Sequence, residues 1–308
     1  MITLSISLPS FAADDPGSWD HLFDQARAAD AGGIDRLVVS DHVVYGEHID
    51  EYGRPEVGGQ AGGKQPTGPD GHWLDPLIVL SSVSSITTRA RLGTNILIAA
   101  LRRPAVLAKM ASTIDVLSGG RFDLGVGVGW QREEYEAAGL DFDGRGKLLD
   151  HTLEVCQTLW RNQRASLDTP LLRFDHIHQM PKPLQDGGVP IWVSGTMNKS
   201  VVRRLARFGT GWILWGPAAA DPIAAIGQMR QALSETDRDP MSVGVSGPLR
   251  VVRGDDGTVD LAATMAGVAP LVEAGLTDFR GAIPVPRDEA GATEAYAEFV
   301  EAFRKATA

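Results

Sequence analysis

Cysteine is nearly missing: Cys156 is the only one in 308 residues, so neither an intrachain disulfide nor a cysteine-rich metal site can form. Basic charge is short as well. Lys and Arg number 29 against 39 Asp and Glu, a formal net charge of −10, which argues against nucleic acid as a partner because phosphate binding needs a basic face. Long apolar runs are absent. The stretch NILIAAL stops at Arg102 and Arg103, well short of the ~18 residues that a membrane helix requires. The opening MITLSISLPSFAADD superficially looks like a secretion signal, yet it has no basic n-region and Pro9 interrupts its apolar run. A buried first strand is the better reading. The expectation is a cytoplasmic globular protein with no membrane partner. With 43% hydrophobic and 22% charged residues, the chain can bury a sizeable core.

Short β-branched runs alternate with amphipathic stretches along the whole chain, the mark of repeated βα units and a parallel sheet. Strands are expected at 2–8, 36–40, 91–98, 122–128, 190–194, 211–214, 243–252 and 278–282. Helices are expected at 18–31, 76–87, 104–117, 132–138 with 147–160, 200–208, 222–235, 259–273 and 293–305. This count predicts an α/β fold of the (β/α)8 TIM-barrel type, one domain over residues 1–308; an open doubly wound sheet is the alternative. Two connections are too long for ordinary turns. Residues 44–74, rich in Gly and Pro, follow the second strand and form either a lid or a surface insertion. Residues 162–188 precede the fifth strand and carry PLLRFDHIHQMPKP, which suggests a hairpin.

The densest signal is RFDLGVGVGWQREEYEAAG at 121–139. A strand has a side-chain period of two, so Gly125, Gly127 and Gly129 share one face while Leu124, Val126 and Val128 share the other. Three missing side chains leave a flat slot, which weakens a strand unless something occupies it. A planar ring or a phosphate tail would fit. Relief of crowding inside a barrel is the competing explanation. Trp130 and Glu133-Glu134 then open a helix.

Asp41 and His42 close the second strand, where polar residues of a barrel read as catalytic, and a histidine there can donate or accept a proton near neutral pH. A packed histidine bonded to a carbonyl is the bland alternative. In VSGTMNKS (193–200) a strand gives way to a helix, and the free N–H groups of a helix start form an anion site. Ser194 and Thr196 add hydroxyl donors, and Gly195 permits close backbone approach; an ordinary N-cap would use the same residues. The pair His176 and His178 has chelating spacing but no matching carboxylate at a strand end, so no metal is expected. A metal-dependent barrel hydrolase lacks its ligands for the same reason. Lys109 and the Ser118–Arg121 turn are architectural.

Taken in order, SDH (40–42), LGT (92–94), RRPAVLAK (102–109), LSGGRFDLGVGVGW with EEYEAAG (117–130 and onward), and IWVSG through GWI (191–213) make the chain resemble the luciferase-like monooxygenase superfamily. GVGVGW, EEY and FDGR (142–145) are most similar to its branch that uses the deazaflavin coenzyme F420. The resemblance implies an oxidoreductase that moves hydride between F420 and a small organic substrate, with His42 in proton transfer and Asp41 beside it. It implies cofactor contacts from Thr94, Asn95 and Ile96, from Gly127, Val128, Gly129 and Trp130, and from Ser194, Gly195 and Thr196. Many relatives carry Gly-Gly where this chain has Ser194-Gly195. It also implies a non-proline cis peptide at Asn95–Ile96, and a homodimer. An FMN-dependent monooxygenase is the alternative, and a non-catalytic cofactor-binding barrel the second. No counterpart of the basic sugar-phosphate pocket of glucose-6-phosphate dehydrogenases in this superfamily is found. Phe11, Trp73, Trp215 and the 44–74 loop are candidate substrate walls.

Overall fold

The computed structural model of the chain describes residues 2–57 and 59–308. Its centre is a closed barrel of parallel strands. These are β1 (Thr3–Ser7), β2 (Arg36–Val39), β3 (Arg91–Thr94), β4 (Phe122–Val126), β5 (Ile191–Ser194), β6 (Gly211–Ile213), β7 (Gly244–Pro248) and β8 (Asp278–Gly281). Sequence neighbours pair in space, and β1 meets β8 to shut the ring, Thr3 opposite Asp278 and Ile6 opposite Gly281. Each expected strand is present, and the doubly wound alternative falls because the sheet has no open edge.

Alternation along each strand sorts the side chains. Leu4, Ile6, Leu37, Val39, Phe122, Leu124 and Phe279 are buried in the apolar core. The opposite face of the same strands is largely polar and lines the barrel interior: Ser5, Arg36, Asp123, Ser246 and Asp278 surround a void of about 20 Å³. Arg36 bridges two carboxylates there, 3.0 Å from Asp123 and 3.3 Å from Asp278, and its guanidinium lies 4.4 Å over the Trp192 ring. Arg91 binds Asp123 from outside, and Ser5 and Ser246 donate to Asp278. Buried charges persist when they are paired and hydrogen-bonded, as the Asp123 and Asp278 carboxylates are here, while Arg36 Nε has no partner among the described residues.

The helices start where the sequence caps them. Asp75 accepts from the N–H groups of Leu77 and Ile78, with Pro76 at the first helical position, and Pro104 opens Pro104–Leu117 as expected. The expected helix at 259–273 is a correction: it is two pieces, Leu261–Ala266 and Val268–Ala274. Pro270 explains the break, since an unbroken helix would drive its ring into the carbonyl of Ala266. The hairpin expected before β5 is formed by Ala165–Asp168 and Arg173–Ile177. In the long connection after β2, His72–Trp73 pairs antiparallel with Phe11–Ala12, which ties the insertion to the loop after β1. No helix among the described residues is long and apolar enough to cross a membrane.

Candidate active site

A cavity of about 880 Å³ opens over the C-terminal ends of the strands, the end of a barrel where loops rather than core side chains decide the chemistry. Ser40–His42 reach it from β2, Asn95, Ile96 and Ile98 from β3, and Gly127–Trp130 from β4. Ser194–Thr196 reach it from β5, Trp215 from beyond β6, and Arg280 from β8. Phe11, Tyr52 and Trp73 close it from above. A second hollow, about 960 Å³, lies outside the barrel between helices Lys199–Phe208 and Pro222–Ser234; no strand end reaches it.

His42 stands against the wall with its ring held on three sides: 4.6 Å from the Tyr45 ring, 4.9 Å from Trp73 and 6.1 Å from Trp130, measured between centroids. Its Nδ1 is 3.3 Å from Oε1 of Glu134, a fully buried residue. The same Oε1 accepts the N–H of Val43 at 2.8 Å. With the Glu134 oxygen as acceptor, Nδ1–H donates and Nε2 is the nitrogen left over; it has no partner among the described residues. Three residues before Glu134, Gln131 donates to the carbonyl of Val44 and accepts from the N–H of Gly46. The start of the helix Arg132–Ala137 thus clamps the chain just after His42. Glu134 and Gln131 escaped the sequence reading; EEY marked the segment, but nothing there says which glutamate turns inward.

Asp41 is a correction. Its side chain has no exposed surface, and both oxygens are engaged. Arg102 grips it with two nitrogens, and the N–H of Ile98 donates to Oδ2 at 2.8 Å. Arg102 also binds Asp75 at 3.0 Å. Burial pushes the Asp41 carboxyl upward, against the pull of Arg102. Asp41 thus borders the cavity with its carboxylate already committed to Arg102 and the Ile98 N–H, where it fixes the turn after β3.

That turn carries the expected cis peptide at Asn95–Ile96. The glycine slot is occupied, but by the protein. A Cβ on Gly125 would stand 1.9 Å from the Thr94 carbonyl oxygen, one on Gly127 2.8 Å from Cδ1 of Ile96, and one on Gly129 3.2 Å from Ile98. The missing side chains let the bulged end of β3 lie against β4. Gly127–Trp130 still border the cavity beyond that contact. Thr94 is a further correction: it is buried below the cavity, its hydroxyl donating to the Gly125 carbonyl at 2.6 Å. Trp130 Nε1 is buried with no acceptor among the described residues.

At the β5 side, Ser194 ends its strand and Gly195 follows with φ +140°. The helix start does not offer all its donors: Asn198 accepts from the N–H groups of Ser200 and Val201. In their place three cations that the sequence reading passed over line this end of the cavity, Arg145, Lys199 and Arg204. Arg204 is anchored by Asp150 at 2.6 Å and the Gly146 carbonyl at 3.0 Å, and Arg145 lies 3.7 Å over the Phe142 ring. Phe11 stacks on Trp73 at 4.4 Å, and Tyr52 spans towards Trp130 and Trp215 at 5.5 and 6.0 Å. His176 and His178 lie exposed on the hairpin side, and no group of three or more His, Cys, Asp or Glu among the described residues is placed to hold a metal ion.

A closed parallel barrel with a cavity at its C-terminal mouth defines an α/β-barrel protein of the TIM type. The family model for luciferase-like monooxygenases matches residues 2–303, and the chain belongs to that family. An F420-dependent glucose-6-phosphate dehydrogenase from Mycobacterium avium is 31% identical over 199 residues, 62% of this chain and 52% of that enzyme. The chain spans about half the length of the first curated relatives it matches. Among solved structures, an F420-dependent secondary alcohol dehydrogenase in complex with an F420–acetone adduct superposes with a TM-score of 0.75 at 16% identity, covering 98% of this chain and 99% of that one. The oxygenating constituent of 3,6-diketocamphane monooxygenase from Pseudomonas putida, in complex with FMN, gives 0.67 at 15% identity over 96% of both chains. At such identities the structures establish the fold.

Proposed function

We propose that this chain transfers hydride between coenzyme F420 and a small organic substrate. The observation that carries the reading is His42: a histidine at the cavity wall, its Nδ1 held by buried Glu134 and its Nε2 unpartnered among the described residues. When bound, the deazaflavin supplies the hydride donor or acceptor. The residues present suit it. The cationic end formed by Arg145, Lys199 and Arg204, with the hydroxyls of Ser194 and Thr196, would hold the phosphate tail. Asn95, Ile96, Val128 and Trp130 would flank the ring, and Trp130 Nε1 offers a donor to a group bound beside it.

Moving a hydride to or from a carbon that bears oxygen requires a proton to move at that oxygen. His42 Nε2 is the group placed to give or take it, while Glu134 keeps the ring in one tautomer and balances the charge of the imidazolium. The wall of Phe11, Trp73 and Tyr52 excludes water from the reacting atoms. The test is anaerobic turnover with reduced F420 and a panel of ketones and aldehydes. F420 oxidation without oxygen is the expected result. Oxygen-dependent turnover with reduced FMN, and none with F420, would establish the monooxygenase alternative instead.

A further inference from the structure

We infer that Arg280 binds the carboxylate of the substrate, so that the preferred substrates are small organic acids. The inference rests on the oxidoreductase reading for the reacting end of the molecule. Arg280 follows Asp278 by two on β8, so both face the barrel interior, with Asp278 at the floor and Arg280 at the cavity. Asp278 is already satisfied by Thr3, Ser5, Ser246 and Arg36. The Arg280 guanidinium has no hydrogen bond or ion pair among the described residues. That sets it apart from Arg102 and Arg204, which also stand near the cavity and are held by Asp41 and Asp150. Asp278 attracts it against the cost of burial but spends its oxygens on other groups, so an anionic ligand would supply the bonded partner that Arg280 lacks.

Position in the barrel says which ligand. Strand β8 stands opposite β4 in the ring and three strands from β5, which leads to the Ser194–Lys199 end where a cofactor phosphate is expected. It is two strands from β2, about 10 Å from His42's strand at the usual spacing. The strand between them, β1, leads to Phe11, stacked on Trp73. A substrate lying along that aromatic wall would meet Arg280 at one end and His42 at the other. The planar fork of a guanidinium matches a carboxylate bidentately.

Calorimetric titration with benzoate and its neutral isostere benzamide tests this, on the cofactor-free protein and on the protein loaded with F420. Benzoate is expected to bind roughly ten- to hundredfold more tightly than benzamide. Arg280→Met should abolish the preference, Arg280→Lys should retain part of it, and F420 affinity should stay unchanged in both. Equal binding of the two probes by the native protein would overturn the inference, whatever the variants do. So would a preference that survives in Arg280→Met, or a loss of F420 affinity there with benzoate unaffected, which would assign Arg280 to the cofactor. Failure of F420 to bind at all would overturn the proposed function, while the cofactor-free titration still decides Arg280.

Discussion

An extended backbone turns successive side chains to opposite sides, and at the end of β2 this separates Asp41 from His42. Sequence adjacency suggested a catalytic pair; both residues border the cavity, but the Asp41 carboxylate is committed to Arg102 and the Ile98 N–H, while His42 Nε2 has no partner among the described residues. The two positions should respond differently to substitution. His42→Ala is expected to lower turnover by roughly 10²–10⁴-fold with cofactor affinity nearly intact, which steady-state rates beside equilibrium titration would measure. Near-normal turnover would make His42 a packing residue. Asp41→Ala should instead cost about 3 kcal/mol of stability, since it removes the two-nitrogen grip on largely buried Arg102 and leaves it Asp75 as its remaining carboxylate. Chemical denaturation of the apoprotein reads that directly. The true partner of His42, Glu134, was not legible because it arrives from β4's following helix, and only the fold brings residues 42 and 134 together.

Among the elements, the β4 glycines are the clearest case of a right motif with a different cause. The pattern correctly marked an empty face; what fills it is the bulge of β3, with the Thr94 carbonyl, Ile96 and Ile98. No local sequence property could distinguish a vacant slot for a ring from one filled by a neighbouring strand. Gly125→Ala should therefore destabilise the cofactor-free protein, by about 3 kcal/mol as overpacking against backbone. Unchanged apoprotein stability with weakened cofactor binding would return the slot to the ligand. The helix after β7 was misread for a simpler reason: Pro270 lies inside an amphipathic run, and periodicity alone hides the steric break at Ala266. By contrast Pro104–Leu117 was read to the residue, because proline at its start and glycines after its end punctuate it.

For the whole molecule, alternating strands and helices carried the barrel, since each βα unit shows its own period and turn residues. The mouth was legible at polar strand ends such as His42 and Ser194, in the glycine run ending at Trp130, and through the family resemblance at Asn95 and Ile96. Arg145, Arg204 and Arg280 were missed because single arginines in a helix or strand look like solvated surface until the barrel closes around them. The barrel floor is fixed by the Arg36–Asp123–Asp278 ion network, and the mouth above it is the part on which the functional account rests. Its central claim is that this mouth receives a deazaflavin. Parallel equilibrium titration of the purified apoprotein with F420 and FMN tests it most directly. The account predicts F420 binding at least tenfold tighter, about 1.4 kcal/mol; tighter binding of FMN, or FMN copurifying at full occupancy, would contradict it.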